Sequence, residues 1–295
     1  MTMEIAVATD NMLGECVLWC ERTGRVLWTD ILNATLWTHE PASGVTRSFA
    51  MVENLASFAL TDDDDKLLLG LASGLAWYRF STGATERIAT VEAELPTTRL
   101  NDGRCDRQGR FVFGTVNQHG NPRDPIGGFY RVNLDMQVER LPLRHVAIAN
   151  SICFSIDGAT MYYCDSKERT IRCCDYGDAL GGEFANDRLF ADLRGGPGQP
   201  DGSVIDAEGC LWNANWGAGR IVRYRPNGSI ERTVAVAAPQ PSCIAFAGAD
   251  LDWLYATTAR EDMTDEQVAA APLSGALFRH RQEVRGLPES RFKGA

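Results

Sequence analysis

The sequence contains no long apolar run. No segment reaches the roughly 18 consecutive apolar residues that a membrane-spanning helix needs, which argues against a membrane protein. The first ten residues include Glu4 and Asp10 and no basic side chain, whereas a secretory leader begins with positive charge. We therefore expect a cytoplasmic protein that makes no contact with a membrane.

Basic charge and histidine are both scarce. With 29 Lys and Arg against 39 Asp and Glu, the formal net charge is −10, so we expect no nucleic-acid partner, because phosphate binding needs a basic surface. The four histidines include no H-x-H or H-x-x-x-H pair, and the nine cysteines include no C-x-x-C pair. These spacings argue against zinc sites built from histidine or cysteine pairs. An odd number of scattered cysteines favours free, buried thiols in a reducing compartment.

Several catalytic and nucleotide-binding motifs are also missing. The absence of G-x-S-x-G argues against an α/β-hydrolase, and the absence of G-x-G-x-x-G and of a P-loop argues against nucleotide binding. No long stretch has the period of an amphipathic helix, and the best helical candidate runs only from Thr264 to Ala271. The chain is therefore predicted to be all-β.

What the chain does contain is a repeated spacing of eight residues from a polar residue to a turn. Asn101 precedes Gly109, Asn150 precedes Gly158 and Asp201 precedes Gly209 by this interval. Ser57 and Ser242 show the same interval before Asp65 and Asp250, and Glu15 begins a further unit. An apolar strand follows each turn, and the units recur about every 40 to 50 residues, the length of a four-stranded propeller blade.

Six such units predict a six-bladed β-propeller that occupies residues 1–295 as a single domain. The N-terminal strand, Met3 to Val7, is expected to complete the blade built from the C-terminal strands and so to cover open sheet edges. The acidic run Asp62 to Asp65 lies at a turn position and lacks the glycine and glutamate of a calcium loop, so we interpret it as a hairpin turn.

The residue that opens each unit is polar in every copy. In a ring of blades, equivalent positions face one axis, so we expect these side chains to converge in a central channel. Two carboxylates and an amide oxygen there would suit Ca²⁺, Mg²⁺ or Mn²⁺ and could accept Fe²⁺ or Zn²⁺. The alternative is that the residues only begin strands and form turns, as Asn and Asp often do. We call this set the polar leaders: Glu15, Ser57, Asn101, Asn150, Asp201 and Ser242.

Four motifs surround these positions: Leu13-Gly-Glu15, Arg99-Leu-Asn-Asp-Gly-Arg104, Ala149-Asn150-Ser151 and Gln199-Pro-Asp-Gly202. In these motifs the chain resembles the family of gluconolactonases, regucalcin and luciferin-regenerating enzyme. The resemblance extends from about residue 12 to residue 280 and implies a six-bladed propeller with one divalent metal ion in its central, metal-binding channel.

The resemblance also implies roles for individual residues. Glu15, Asn150 and Asp201 would be the metal ligands, and Arg99 and Asn101 would bind the substrate. Downstream of the second motif the chain has Gly114-Thr115. Some relatives have a substrate-contacting glutamate shortly after this Gly-Thr, where this chain has Val116-Asn-Gln-His119 without an acid.

Asn117, within that stretch, is included among the substrate-binding residues, and the substrate preference stays open. Two further departures, Cys16-Val17 in place of Gly-Pro and Ser151 in place of Gly, remove no ligand but are expected to reshape the channel mouth.

The function implied is a divalent-metal-dependent hydrolase that opens sugar lactones to aldonic acids. The substrate would be a pentonolactone such as arabinonolactone or a hexonolactone such as gluconolactone. Asp201 is the predicted catalytic base, with a role as ligand alone left as an alternative. The metal would be Ca, Mn, Fe, Zn or Mg, and the protein a monomer or weak homo-oligomer. Two alternatives stay open, namely a lactonase or esterase for non-sugar substrates and a non-enzymatic calcium-binding propeller.

Overall fold

The computed structural model describes residues 2–177 and 184–294. Within these ranges, 24 strands form six antiparallel sheets of four strands each. Each sheet is a blade, and its first strand in the sequence is the innermost one, except that the sixth blade also receives the N-terminal strand.

The first three blades follow one another along the chain, and each runs from an inner to an outer strand. Blade 1 contains β2 (Gly14–Cys20), β3 (Arg25–Asp30), β4 (Thr35–Glu40) and β5 (Val45–Ala50). Blade 2 contains β6 (Leu55–Leu60), β7 (Lys66–Leu71), β8 (Gly74–Arg79) and β9 (Thr85–Thr90). Blade 3 contains β10 (Thr98–Cys105), β11 (Phe111–Asn117), β12 (Phe129–Val132) and β13 (Val138–Arg140).

The remaining blades repeat this order. Blade 4 contains β14 (Ala149–Phe154), β15 (Thr160–Asp165), β16 (Thr170–Asp175) and β17 (Ala185–Asp192). Blade 5 contains β18 (Gln199–Ile205), β19 (Leu211–Trp216), β20 (Arg220–Tyr224) and β21 (Ile230–Ala235). Blade 6 contains β22 (Pro241–Ala247), β23 (Trp253–Thr258), β24 (Leu277–Arg281) and β1 (Glu4–Val7).

The blades form a closed ring. Each innermost strand contacts the innermost strand of the next blade, in the order β2, β6, β10, β14, β18 and β22, and β22 contacts β2 again. This arrangement confirms the predicted six-bladed propeller. The N-terminal strand β1 pairs with β24 at the outer edge of blade 6, which confirms that the two ends of the chain meet in one blade.

Burial falls from the axis outward. Every residue of β2 is buried, whereas the outermost strand β5 of the same blade is largely exposed. Apolar clusters fill the spaces between neighbouring blades. Between blades 5 and 6, for example, the Trp212 ring packs edge-on against Phe246 with centroids 5.8 Å apart. All nine cysteines are free and buried, as predicted.

The predicted local features are present as well. The helix α1 (Asp265–Ala270) begins at the cap residue Thr264, whose hydroxyl accepts a hydrogen bond from the Gln267 backbone N–H. The Asp62–Asp65 run forms the turn between β6 and β7. The described ranges also contain the short 3₁₀ helix Ser166–Glu168, and neither helix there is long and apolar enough to cross a bilayer.

Candidate active site

The polar leaders lie where the innermost strands depart from regular pairing. In each described blade, the pairing of the innermost strand with the next strand shifts register once, at or beside the polar leader. Such a β-bulge bends the strand and redirects side chains out of the usual alternation. The shifts occur between Glu15 and Leu18, Leu55 and Ser57, Leu100 and Gly103, Asn150 and Cys153, Pro200 and Ser203, and Pro241 and Ile244.

Four of the polar leaders and Arg99 line one cavity of about 140 Å³. The innermost strands of all blades run in the same direction along the channel axis. The beginnings of β2, β10, β14 and β18 therefore meet at one end of the channel. The leaders brought together are Glu15, Asn101, Asn150 and Asp201. The remaining lining residues are Leu13, Arg99, Val116, Arg123, Ile148, Ser166, Lys167, Gln199, Trp216, Glu261 and Asp262.

A chain of side-chain hydrogen bonds orders the amides of this cavity. The Arg99 Nη1 donates to Asn101 Oδ1 at 2.8 Å, and Asn101 Nδ2 donates to Asn150 Oδ1 at 2.9 Å. Asn150 Nδ2 then donates to Ser166 Oγ at 2.9 Å, and that hydroxyl donates to the Pro200 carbonyl at 2.7 Å. The chain fixes which way each amide points, and it leaves the second lone pair of Asn150 Oδ1 for another donor or a cation.

Glu15 and Asp201, two of the four acidic residues that line the cavity, are buried in a low-dielectric environment. Burial raises the pKa of Glu15 to about 8, with the charge of Asp102 as the next cause. Burial also raises the pKa of Asp201, and the charge of Glu15 adds to that rise. Asp201 Oδ1 is buried and has no hydrogen-bond partner among the described residues. A buried acid whose pKa is raised further by the charge of a second buried acid forms with it an arrangement that a cation would stabilise.

Arg99 is the cation of the cavity interior. Its side chain is only 6% exposed, and burial lowers its pKa to about 10, although Glu261 and Glu15 oppose that shift. Its Nη1 is held by the Leu100 carbonyl and by Asn101. Its Nε is buried without a partner in the described part of the chain, so the guanidinium retains a donor that no protein group uses.

Three polar residues highlighted in the sequence are placed elsewhere. Asn117 is not among the described residues that line the cavity. Its Nδ2 donates to the Asp124 carbonyl, and its Oδ1 accepts from the His119 N–H. Ser242 donates to the Gly14 carbonyl. The Ser57 hydroxyl is buried and lacks a partner among the described residues. The short side chains of these two serine leaders stay within the strand layer rather than reaching the cavity.

The sequence reasoning missed most of the part of the cavity formed at the ends of the second strands, although Trp212 and Trp216 stand out in the sequence as residues that could stack on a sugar, with core packing favoured for Trp212. Ser166, Trp216 and Glu261 each lie at or just after the end of the second strand of blades 4, 5 and 6. The signal that could have found them is positional, because second strands run antiparallel to the innermost ones and end beside the polar leaders. Of the two tryptophans of β19, Trp216 lines the cavity, whereas Trp212 is buried in the core.

The candidate metal ligands of the cavity are carboxylate and amide oxygens. Among the described residues, no group of three or more His, Cys, Asp and Glu side chains is arranged to hold a metal ion. Glu15 and Asp201 provide two carboxylates, and Asn150 provides an amide oxygen. These are oxygen donors of the kind that Ca²⁺, Mg²⁺ and Mn²⁺ prefer, and three of them would leave coordination positions open.

Known proteins resemble this chain over almost its full length. L-arabinolactonase of Azospirillum brasilense is 49% identical over 286 residues, which cover 97% of this chain and 94% of the relative. The 6-deoxy-6-sulfogluconolactonase of Pseudomonas putida is 33% identical over 294 residues, which cover 99% of each chain. The crystal structure of a calcium-binding protein, regucalcin, from Agrobacterium tumefaciens matches with a TM-score of 0.93 and 32% identity, covering 99% of this chain and 97% of that chain.

A model of the family described as the SMP-30/Gluconolactonase/LRE-like region matches residues 13–260. That range runs from the start of blade 1 to the end of β23 and includes the five predicted site residues that line the cavity. The same family was identified from the sequence motifs, and the match confirms that resemblance. With the propeller, the cavity residues and the relatives in agreement, the chain belongs to the SMP-30/gluconolactonase/LRE-like family.

Proposed function

We propose that this protein is a sugar lactonase that hydrolyses an aldonolactone to the aldonic acid with the help of one divalent cation. The observation that carries the proposal is the group of oxygen donors from Glu15, Asn150 and Asp201 in the same cavity as the buried Arg99. The relatives named for sugar lactone hydrolysis support the reaction class, and the one at 49% identity acts on an arabinose-derived lactone by its name.

The residues of the cavity fit a divalent cation. Asp201 Oδ1 is buried with no partner in the described ranges. Burial raises the pKa of both carboxylates, and the charge of Glu15 raises the pKa of Asp201 further. Glu15, Asn150 and Asp201 would hold the ion, which could be Ca²⁺, Mn²⁺, Fe²⁺, Zn²⁺ or Mg²⁺. Bound there, such an ion polarises the lactone carbonyl and stabilises negative charge on its oxygen.

Asp201 is the proposed general base. Its free Oδ1 can accept a proton from the water that adds to the lactone carbonyl, because a carboxylate within hydrogen-bond reach of that water removes its proton as the new C–O bond forms. When the ring C–O bond breaks, the departing ring oxygen takes up the proton that Asp201 removed from the water, which returns the carboxylate to its starting state. The alternative role for Asp201 is that of a cation ligand alone.

Arg99 and Asn101 are proposed to bind the oxygens of the substrate. The guanidinium of Arg99 supplies charged donors, and such donors hold hydroxyl and carboxylate oxygens more strongly than neutral ones. Asn101 holds the guanidinium in place through the 2.8 Å contact from Nη1. Asn117 is not included in the proposed set, because its amide is used by the backbone of residues 119 and 124.

The proposed substrate is a pentono-1,4-lactone related to arabinonolactone. The support is comparative, because identity to the arabinolactonase is 49% and to the sulfogluconolactonase 33%. A hexonolactone such as gluconolactone is the other candidate within the same reaction.

The test is a lactone hydrolysis assay that follows acid release. Chelator-stripped protein is offered pentono- and hexono-lactones, with add-back of Ca²⁺, Mg²⁺, Mn²⁺, Fe²⁺ or Zn²⁺, alongside Asp201→Asn and the control Asp62→Asn. Asp62 lies in a surface turn with a side chain 74% exposed, so its variant should keep full activity. We expect one cation to restore turnover of one lactone, and Asp201→Asn to lower kcat by about 10² to 10⁴.

The same assay separates the two roles of Asp201. If Asp201 is only a ligand, Asp201→Asn should weaken cation binding, and excess cation should restore kcat. If it is the base, saturating cation should leave kcat low. Absence of turnover above the spontaneous rate with every lactone and cation would overturn the proposed function and favour a binding role.

A further inference from the structure

Glu261 is an acidic residue of the cavity that lies outside the sequence motifs carrying the family resemblance. It follows β23 in blade 6, whose polar leader Ser242 lies outside the cavity lining. Blade 6 therefore contributes to the cavity through the end of its second strand rather than through its innermost strand. Glu261 and its neighbour Asp262 are the residues that blade 6 places in the lining.

The backbone that carries Glu261 is held from both sides. The Ala259 N–H donates to the Gln240 carbonyl at 3.0 Å, and Gln240 Nε2 donates back to the Glu261 carbonyl at 2.9 Å. The Arg260 N–H donates to the Met12 carbonyl at 3.0 Å, which ties the segment to the start of blade 1. Asp262 has a φ of 59°, a conformation that non-glycine residues seldom adopt. A fixed backbone of this kind positions the side chain in advance of binding.

The Glu261 carboxylate has no partner among the residues that the structure describes. Within the described ranges it takes part in no hydrogen bond or ion pair, although burial raises its pKa and the charges of Arg99 and Arg123 lower it. A half-buried carboxylate without a donor is unfavourable unless water or a ligand provides one. The carboxylate is therefore an acceptor facing the cavity that the protein itself does not use.

Arg99 provides the complementary donor. Its guanidinium is buried, its Nε has no partner among the described residues, and Glu261 is the first charged group that raises its pKa. The two residues thus influence each other across the cavity without forming an ion pair. A sugar hydroxyl both donates one hydrogen bond and accepts others, so the oxygens of one sugar can pair with both a carboxylate and a guanidinium of the cavity.

We propose that Glu261 is a specificity-determining residue, whose carboxylate accepts a hydrogen bond from a hydroxyl of the lactone while Arg99 donates to an oxygen of the same substrate. The inference rests on the proposed sugar-lactonase function. It assigns to blade 6 the acidic contact that the stretch Val116–His119 of blade 3 does not provide.

The test compares Glu261→Gln and Glu261→Ala with the parent enzyme on the best sugar lactone and on deoxy analogues that each lack one hydroxyl. We expect the variants to lower kcat/KM for the sugar lactone by about 10- to 100-fold, as for a lost hydrogen bond to a charged group. The loss should appear mainly in KM, because the contact forms before the reaction and persists through it. For the analogue that lacks the bound hydroxyl, parent and variants should be equal.

Deoxy analogues that are turned over too slowly are measured as competitive inhibitors, where the same comparison applies to the inhibition constant. Glu86→Gln is the matched control, because Glu86 is an exposed carboxylate on the outer strand β9 of blade 2. Glu86→Gln changes the net charge by the same amount as Glu261→Gln, and it should leave kcat, KM and the inhibition constants unchanged. Near-ultraviolet circular dichroism and the unfolding midpoint verify that each variant is folded.

Two outcomes overturn the inference while the proposed function stands. One is an unchanged kcat/KM in both Glu261 variants, and the other is an equal loss for the sugar lactone and for every deoxy analogue. A parent enzyme that hydrolyses no sugar lactone overturns the proposed function first, and the inference with it, so the two failures are distinguishable.

Discussion

Ser151 lies outside the cavity lining and stabilises it through hydrogen bonds between two blades. It directly follows the proposed ligand Asn150 and has a φ of 61°, in the left-handed region. Its hydroxyl donates to the Asp201 carbonyl at 2.7 Å and accepts from Asn213 Nδ2 at 3.1 Å. The side chain therefore links blade 4 to blade 5 and offsets the cost of its own backbone conformation.

At position 151 we therefore expect the glycine variant to be more stable than the alanine variant, which is the reverse of the usual order. Ser151→Ala keeps the backbone cost and loses the hydroxyl contacts, so we expect it to lower the free energy of unfolding by about 2 to 3 kcal/mol. Ser151→Gly should lose about 1 kcal/mol less, because glycine adopts a positive φ without a steric cost. Urea unfolding monitored by tryptophan fluorescence measures both.

Ser203 provides the control for that comparison. Its hydroxyl belongs to the same network, being 3.0 Å from Ser151 Oγ, but its φ is not positive. At position 203 we expect the usual result, in which the glycine variant is less stable than the alanine variant by about 0.5 to 1 kcal/mol. An ordinary order at position 151 as well would show that its left-handed backbone contributes nothing measurable to stability.

At the residue scale, the repeat predicted most of the cavity but not all of it. Glu15, Asn101, Asn150 and Asp201 were found because each opens a unit, and they do line the cavity. Asn117 was placed by analogy with relatives, and its amide turns instead to the local backbone. Which way a side chain turns depends on neighbours that are distant in sequence, and the pattern of one strand does not contain them.

At the element scale, a buried aspartate organises the turn between β18 and β19. Asp206 is fully buried and accepts hydrogen bonds from the Glu208 and Cys210 N–H groups at 2.9 and 3.0 Å. It also accepts from Trp212 Nε1 and from Arg223 Nε, both at 2.8 Å. One carboxylate thus satisfies a tight turn, a core indole and a buried cation.

Removal of this carboxylate should destabilise blade 5 strongly. Asp206→Ala leaves the indole N–H of Trp212 unpaired and Arg223 short of a partner, so we expect a loss of about 3 to 5 kcal/mol in the free energy of unfolding. Asp206→Asn retains one acceptor oxygen and should lose less. Chemical denaturation tests both variants, provided that the dependence of the free energy of unfolding on denaturant concentration stays the same as in the parent protein.

Asp157, in the corresponding turn of blade 4, provides the comparison. It is exposed, and among the described residues its side chain bonds to Ser155 and the Ala159 N–H, so Asp157→Ala should cost no more than about 1 kcal/mol. Equal losses at Asp206 and Asp157 would contradict the role assigned to the buried network.

The segment after β24 is an element without a counterpart in the repeat. The Gly286 N–H donates to the Leu251 carbonyl, and the Phe292 N–H donates to the Leu60 carbonyl. Between them, Glu289 forms a largely buried ion pair with Arg104 at 3.1 Å. These contacts lie beside the turns that follow the innermost strands, so the segment covers the end of the channel opposite the cavity. The sequence pattern did not predict it, because the segment has no strand periodicity of its own.

At the scale of the whole molecule, the channel concentrates acidic groups in a poorly solvated place. Burial raises the pKa of Glu15, Asp102, Asp201 and Glu261. With no cation bound, these groups retain protons in the folded state that they would lose in the unfolded state. The folded protein therefore binds more protons than the unfolded chain above the ordinary carboxyl pKa.

The sign of the pH dependence follows from this difference. For Glu15, whose pKa rises from 4.5 to about 8, stability should fall as the pH rises through that window, because unfolding releases protons. In chelator, we expect the free energy of unfolding to be a few kcal/mol lower at about pH 8.5 than at about pH 5.5. Urea unfolding at the two pH values measures the difference.

A divalent cation should reverse that trend. Binding needs the deprotonated ligands, so Ca²⁺ or Mn²⁺ should stabilise the protein more at about pH 8.5 than at about pH 5.5, by about 3 kcal/mol at roughly 100 times the dissociation constant. Glu15→Gln should shrink the fall measured in chelator, since an amide does not titrate. A fall of the same size with and without saturating cation would count against Glu15 and Asp201 as cation ligands.

The sequence by itself determined the six-bladed ring, its closure by β1 and the polar leaders at the start of the innermost strands. These features are local and repeated, because strand alternation, turn residues and a constant spacing are all written within each unit. Only the tertiary structure decided which leaders reach the cavity, that Glu261 joins them from a second strand, and that the C-terminal segment covers the opposite end. Those outcomes depend on contacts between segments far apart in the chain, and on the burial that only the closed ring creates.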